Sequence, residues 1–290
     1  MAREILVNGA ITGGVYALLA LGFSLIFGVA RIINLAHTAF YMLAAYFIFT
    51  LANLLGLDPV PAILLAIVLT TLVGVVTYKL FVERVREHET TVLMITLALA
   101  LVFQECMLLI FGGHFRGVPS FVSGYVELLG VRVSNQHLLT FGVVIACLVG
   151  IWMLLSKLKL GIAIRSVAQD REVANLMGID VGKMCLITTA IAVALAAISG
   201  AMVAPILVLE PRMWMHPLIM VLAIVVLGGL GSLKGSFAAA FILGYVETLV
   251  VFLVPMGSFI KSAIALAVMV VVLLIRPEGL FGVAFEEERL

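Results

Sequence analysis

The chain has few of the charged residues that a water-soluble protein needs at its surface. Charged residues make up 11% of its 290 positions, against about 25% in typical soluble domains. Hydrophobic residues make up 64%, and the mean hydropathy is +1.29. A soluble fold of this size would need far more polar side chains to cover its surface. The composition therefore excludes soluble enzymes, secreted disulfide modules and nucleic-acid-binding proteins, and it predicts a protein that lies in a lipid bilayer.

Cysteine is also scarce, with three residues in the whole chain. Cys106, Cys147 and Cys185 lie in or at the end of apolar stretches without a paired spacing, so we interpret them as small apolar fillers. No grouping of serine, histidine, cysteine or carboxylate residues in the sequence has a spacing typical of catalysis or metal binding. We therefore expect no metal, no cofactor and no enzymatic activity from the chain itself.

Long apolar runs are abundant, and a spanning helix needs about 20 such residues. Polar, glycine and proline residues divide the chain into nine apolar segments: 5–29, 38–56, 60–82, 92–112, 137–155, 184–209, 217–229, 236–254 and 259–275. The seventh is too short to cross a bilayer alone, and the glycine-rich run from Gly228 to Ser236 follows it. These features predict one transmembrane domain over residues 1–290, all-α, with eight or nine transmembrane helices and a re-entrant or broken helix near 228–236.

The basic residues predict an orientation, because lysine and arginine accumulate on the cytoplasmic side of membrane proteins. Placing the C-terminus and the loop 156–183 in the cytoplasm puts 12 of the 17 basic residues there. The cytoplasmic group is Arg31, Lys79, Arg84, Arg86, Lys157, Lys159, Arg165, Arg171, Lys183, Lys234, Arg276 and Arg289. The outer group is Arg3, Arg116, Arg132, Arg212 and Lys261. Nine crossings then place the N-terminus outside.

Two connections are long enough to hold structure of their own. Residues 113–136 combine glycine and proline with short alternating runs, which predicts a small hairpin on the extracytoplasmic face. Residues 156–183 are polar and lack strand signals, so they predict one or two short helices, with Gly178 at a helix end.

Four runs along the chain carry a family resemblance. They are Gly28-Val29-Ala30-Arg31 with Asn34-Leu35-Ala36-His37; Gly161-x-x-x-Arg165-x-x-Ala168-x-Asp170-x-x-x-Ala174-x-x-x-Gly178-Ile179; Gly228-Gly229-Leu230-Gly231-Ser232-x-x-Gly235; and Arg276-Pro277-Glu278-Gly279-Leu280-Phe281-Gly282. In this order they resemble the motifs of the permease subunits of branched-chain amino acid ABC transporters. Four motifs in the family's order are more specific than any one alone.

The resemblance implies a permease subunit of an ATP-driven importer in the bacterial inner membrane. Its implied partners are a second related permease, two ATP-binding subunits, an extracytoplasmic solute-binding protein and membrane lipid. The loop 156–183 would be the coupling loop that docks on an ATP-binding subunit. The coupling residues expected on this basis are Gly161, Arg165, Ala168, Asp170, Ala174 and Gly178.

The same resemblance places the substrate pathway near the first irregular connection. Asn34, whose amide can donate to a carboxylate and accept from an ammonium, is a candidate pathway residue together with His37, Thr38 and Asn8. Thr38 stands where the family usually has glycine, and Ala44-Ala45-Tyr46 replaces its common Gly-Ala-Tyr. Urea or short amides therefore remain an alternative solute class.

The strongest cases of polar residues at membrane depth are Gln104, Glu105 and Glu247. Such groups are costly in lipid and face protein or water. For the two carboxylates we favour hydrogen bonds that pin neighbouring helices or the partner permease, and a place on the substrate route is the alternative. Intramembrane carboxylates beside a broken helix also fit an ion-coupled secondary transporter, which is the competing function.

Overall fold

In the described part of the chain, the fold is helical apart from its connecting loops and one short hairpin. The computed structural model describes residues 2–128, 130–276 and 278–281. The helices before the hairpin are α1 (Ala2–Ala30), α2 (His37–Ile48, continued by a π-helical stretch Phe49–Leu54), α3 (Pro59–Thr77, continued to Val85) and α4 (Glu89–Phe111). The strands are β1 (Tyr125–Leu128) and β2 (Val131–Ser134). The later helices are α5 (Asn135–Lys157), α6 (Lys159–Gln169), α7 (Arg171–Leu176), α8 (Val181–Val203), α9 (Met215–Gly228), α10 (Leu233–Leu253) and α11 (Gly257–Ile275).

Eight helices of the described chain are long and apolar enough to cross a membrane: α1 to α5, α8, α10 and α11. The seventh apolar segment corresponds to α9, which has 14 residues and is therefore about 21 Å long, short of a roughly 30 Å hydrocarbon layer. The predicted all-α membrane fold and the break near 228–236 are confirmed. One boundary was wrong, because the sixth segment was expected to reach residue 209, whereas α8 ends at Val203 and a turn follows.

The centre of the bundle consists of α1, α2 and α8, which are mostly buried, while α4 and α11 expose much of their apolar surface. Small residues permit this close packing, as in other membrane helices. A Cβ atom on Gly244 of α10 would lie 2.6 Å from the backbone nitrogen of Gly13 in α1. Likewise, a Cβ on Gly200 of α8 would lie 3.0 Å from Cα of Tyr41 in α2. Glycine at these positions lets the central helices approach backbone to backbone.

The bundle has two distinct ends. The hairpin end carries the N-terminus of α1, the β1–β2 hairpin and the 204–214 turn; Arg116 and Leu209 form an isolated antiparallel bridge there. The predicted hairpin is confirmed, with Val126 opposite Val133. The loop end carries the connection 31–36, helices α6 and α7, and the turn between α9 and α10. Pro277, Gly282 and Arg289, which the sequence assigned to the terminal motif and the cytoplasmic group, lie outside the described residues.

Candidate functional site

A cavity of about 620 Å³ lies in the half of the bundle nearer the hairpin end. Its apolar wall comes mainly from α1, at Ile11, Val15 and Leu19, and from the end of α8 and the turn after it. Its polar lining consists of Asn8, Thr12, Tyr16, Tyr41, His137, Glu210, Arg212, His216, Glu247 and Lys261. A mostly apolar pocket with a few converging polar groups is the usual form of a small-molecule site. We call it the outer cavity.

An ion pair between two helices forms the polar centre of this cavity. Lys261 of α11 donates to one carboxylate oxygen of Glu247 of α10, with Nζ 2.6 Å from Oε1. Tyr16 of α1 donates to the other oxygen at 2.6 Å. The Glu247 side chain is 6% exposed, whereas that of Lys261 is 29% exposed. Glu247 therefore ties α1, α10 and α11 together, and Lys261 keeps part of its surface toward the cavity.

Two histidines add unsatisfied nitrogen atoms to the lining. His216 Nδ1 lies 3.4 Å from the Tyr16 hydroxyl, and its Nε2 is 3.8 Å from Glu247 Oε1, too far for a hydrogen bond. Nε2 of His216 and Nδ1 of His137 are both buried without a hydrogen-bond partner in the described part of the chain. Buried polar atoms are normally satisfied, so these two nitrogens are exceptions on residues that line the outer cavity.

The predicted pathway residues are divided by the structure. Asn8 lines the outer cavity. His37 is fully buried behind the cavity wall, with Nε2 3.0 Å from the carbonyl oxygen of Leu19. Thr38 is also fully buried. Asn34 lies at the loop end, where its Oδ1 accepts from the backbone N–H of Ala36 and shapes the start of α2. These three residues do not line the outer cavity, and their role in transport remains a prediction.

Of the other two intramembrane polar residues, Gln104 joins two helices, whereas the helix-pinning role favoured for Glu105 stays a prediction. Gln104 of α4 accepts from the indole N–H of the buried Trp214 at 2.9 Å, which pins α4 to the start of α9. Its amide also donates to Glu105 at 3.2 Å. Glu105 is exposed on the outer surface of α4, away from the outer cavity.

At the loop end, the connection 156–183 forms two short helices, in agreement with the sequence. Asp170 begins α7, with its Oδ1 accepting from the backbone N–H of Val173 at 2.9 Å. Gly178, with a φ of +84°, ends it in a conformation that favours glycine. A Cβ on Gly161 would lie 2.5 Å from Cα of Leu155, so glycine lets α6 pack tightly on α5. Arg165 and Ala168 follow on α6.

Ala174, one of the coupling residues implied by the resemblance, does not lie on a face open to a partner. Ala174 is 3% exposed and packs in an apolar cluster with Val29, Tyr78 and Cys185. The exposed face of this segment is instead formed by larger apolar side chains: Val173 is 54%, Leu176 84% and Met177 78% exposed. The small residue Ala174 therefore packs against the bundle, and the larger apolar residues of this segment are exposed.

All four sequence motifs meet at the loop end. The guanidinium of Arg171 donates to the carbonyl oxygen of Val29 at 2.8 and 3.1 Å, which fastens α7 to the end of α1. Leu280 donates from its backbone N–H to the carbonyl of Leu227 at 2.8 Å, so the terminal motif packs on the end of α9. A Cβ on Gly28 would lie 4.0 Å from Cα of Gly231. Distant stretches of sequence thus form one contiguous junction.

A second cavity, of about 800 Å³, opens near the loop end between α1, α5, α6 and α10. It is lined mainly by apolar residues such as Leu25, Trp152 and Phe237. Its α1 residues, Leu21 and Leu25, lie on a different face of the helix from those of the outer cavity, since successive residues turn by about 100°. The second cavity therefore does not continue the outer one.

Sequence reasoning did not identify several residues of both regions. Tyr16, His216 and Lys261 lie next to Glu247 and belong to three other helices. No local sequence pattern predicts such a cluster. Arg171 was counted only for its charge. The spacing between Arg171, Ala174 and Gly178 did not predict that Arg171 contacts α1.

The eight spanning-length apolar helices are those of a multi-pass membrane protein. A family model described as "Branched-chain amino acid transport system / permease component" matches residues 5–273. The chain therefore belongs to the family of permease components of branched-chain amino acid transport systems.

Relatives of known name agree with this assignment. The chain is 29% identical to the high-affinity branched-chain amino acid transport system permease protein BraD of Pseudomonas aeruginosa, over 96% of this chain and 94% of that protein. It is 25% identical to the LivH permease protein of Escherichia coli K12, over 95% and 94% of the two chains. Its fold is similar to that of a chain in the structure "PsaBC from Streptococcus pneumoniae in complex with Fab", with a TM-score of 0.55, 14% identity, and coverage of 96% and 97%.

Proposed function

We propose that this chain is one permease subunit of an ATP-driven importer that moves branched-chain or other small amino acids across a bacterial inner membrane. Family membership over residues 5–273 carries the proposal. The outer cavity supports it, since it combines an aliphatic wall with groups of both charges. The ion-coupled alternative is not favoured, because it needs free intramembrane carboxylates. Glu247 is instead bound by Lys261 and Tyr16, and Glu105 lies on the outer surface.

The proposed partners are a second related permease, two ATP-binding subunits and an extracytoplasmic solute-binding protein. In this arrangement residues 156–183 are the coupling loop, and the loop end and C-terminus are cytoplasmic. The exposed apolar face of Val173, Leu176 and Met177 is the surface offered to an ATP-binding subunit, because exposed apolar patches rimmed by polar residues mark protein contacts. Asp170 and Gly178 set the two ends of α7, and Gly161 and Ala174 hold the loop against the bundle.

Purification in mild detergent tests the assembly. The wild-type permease should bring down two ATP-binding subunits and a sister permease. Leu176→Glu should abolish capture of the ATP-binding subunits while membrane level and sister-permease capture stay normal, because residue 176 does not contribute to the buried core. Ala174→Arg is the matched comparison, since its effect should fall first on folding of the permease. If the Leu176→Glu variant captured the ATP-binding subunits as well as the wild type, this face would not be the coupling surface.

Uptake by the assembled complex tests the solute. Proteoliposomes that contain the complex, given its loaded binding protein outside and ATP inside, should accumulate leucine, isoleucine or valine. Accumulation of urea or an amide, with no amino acid transported, would replace the proposed solute class.

A reporter fused after Arg84 should be cytoplasmic and one at residues 120–126 extracytoplasmic; reversed labelling would overturn the orientation.

A further inference from the structure

The ion pair in the outer cavity is a poor choice for stability alone. Removing two charges from water costs more than their attraction commonly returns, so buried pairs are weak stabilising elements. Here the pair lines an open cavity, and Lys261 keeps 29% of its side chain exposed. An ammonium group has three N–H donors, of which Glu247 accepts one. In the absence of a ligand, Glu247 and Lys261 therefore pair with each other, and Lys261 is still accessible to a ligand in the cavity.

The surroundings match an α-amino acid in its zwitterionic form. His216 and His137 add imidazole rings to the polar lining of the cavity. The same lining has an aliphatic part, with Ile11, Val15 and Leu19 on α1. A ligand with a carboxylate, an ammonium group and a branched hydrocarbon side chain would satisfy each of these surfaces.

We propose that the Glu247–Lys261 pair is the solute-reading element of this subunit: it opens to take an amino acid zwitterion, with Lys261 donating to the carboxylate and Glu247 accepting from the ammonium group. The inference rests on the proposed function and names the residues that select the solute. Tyr16 is a positioning residue, because its hydroxyl holds Glu247 Oε2 at 2.6 Å while the other carboxylate oxygen changes partner.

The exchange of the Glu247–Lys261 pair for two pairs with the solute explains why a zwitterion would be selected over a solute with one charge. A zwitterion replaces one closed pair by two new ones, so every buried charge keeps a partner. An amine without a carboxylate, or an acid without an amine, separates the pair and satisfies only one member. The other is left as a buried unpaired charge, which is the costly outcome for any polar group at this depth.

A pair of variants tests the proposal in the intact complex. Glu247→Gln with Lys261→Gln removes both charges together, so no unpaired charge remains and assembly should stay at the wild-type level. Leucine uptake from the same loaded binding protein should fall by about tenfold or more, as expected when charge-assisted contacts are lost. The matched control is Glu127→Gln with Arg132→Gln, which neutralises an exposed ion pair of the hairpin and should leave the cavity unchanged. Full leucine uptake by the Glu247/Lys261 double variant would overturn the proposal.

A second measurement on the wild-type complex does not depend on how the variants fold. Radiolabelled leucine is bound to the complex in nanodiscs without its binding protein, and competitors are added. Valine should displace it, whereas 3-methylbutylamine and 4-methylpentanoate, which each carry one charge, should need at least about tenfold higher concentrations. Equal displacement by either single-charge compound, or the absence of saturable leucine binding, would overturn the proposal. ATP-driven leucine uptake together with either result would leave the proposed transport function standing, and absence of all amino acid uptake would instead remove that function.

Discussion

The outer cavity and the loop end are built on opposite principles. The outer cavity is held by polar side chains from different helices, where Tyr16 and Lys261 both donate to Glu247. The loop end is held by glycine contacts and by bonds to backbone carbonyls, such as Arg171 to Val29. Contacts between side chains of different helices can be exchanged for contacts with a ligand, whereas close-packed backbone contacts leave little room to rearrange. We therefore expect the first region to bind the solute and the second to transmit movement.

The largest effect is expected where the ion pair of the outer cavity is broken on one side. Lys261→Met leaves the carboxylate of Glu247 buried and unpaired, which costs up to roughly 3–5 kcal/mol. The permease should have a lower Tm in detergent and a lower yield. Arg132→Met, which breaks the exposed pair with Glu127, should cost less than about 1 kcal/mol. Equal Tm losses in the two variants would erase the difference between a buried and an exposed pair.

The glycine junction of the loop end should be the next most sensitive. A Cβ on Gly235 would lie 2.7 Å from the carbonyl carbon of Gly228, so Gly235→Val should push α9 and α10 apart at a cost of about 1–3 kcal/mol. Thermal unfolding of the purified subunit measures the loss. Gly150→Ala in α5, where a Cβ would meet open space, is the control and should be neutral or slightly stabilising. A harmless Gly235→Val would contradict the tight junction.

The link between α7 and α1 should affect coupling more than stability. Arg171→Ala removes two hydrogen bonds to the carbonyl of Val29, and bonds to charged groups contribute about 1.5–3 kcal/mol when buried, less at this half-buried site. We expect ATP hydrolysis to continue while leucine moved per ATP falls. Arg171→Lys keeps the charge but loses the two-pronged contact, so it should give an intermediate ratio. An unchanged ratio in Arg171→Ala would assign the contact to folding alone.

The smallest effect is expected at Asn34. Asn34→Leu removes the acceptor that satisfies the Ala36 N–H, at a cost of about 1 kcal/mol, and it should reduce uptake with the subunit still assembled. Asn34→Asp keeps the acceptor and tests the side-chain N–H donors separately. Uptake by Asn34→Asp equal to the wild type would limit Asn34 to shaping the start of α2. Unchanged uptake in both variants would remove it from the predicted pathway.

The two regions also differ in how far they could be predicted from the sequence. The spanning helices, the break after Gly228 and the end of α7 at Gly178 were predictable, because hydropathy and glycine act locally along the chain. The motifs of the loop end were visible as contiguous runs, although their meeting in space was not. Ala174 was expected to contact a partner, but a sequence motif does not reveal which face of a short helix is buried. Glu247 was recognised as polar in an apolar helix, but its partner Lys261 had been counted only among the basic residues of the outer group.

The most direct test of the account is the energy source for amino acid uptake. Proteoliposomes with the wild-type complex and its loaded binding protein are supplied with internal ATP in the absence of ion gradients, or with a sodium or proton gradient in the absence of ATP. We expect leucine to accumulate with ATP alone and not with either gradient. Accumulation driven by an ion gradient without ATP would contradict the account and would make this chain a secondary transporter.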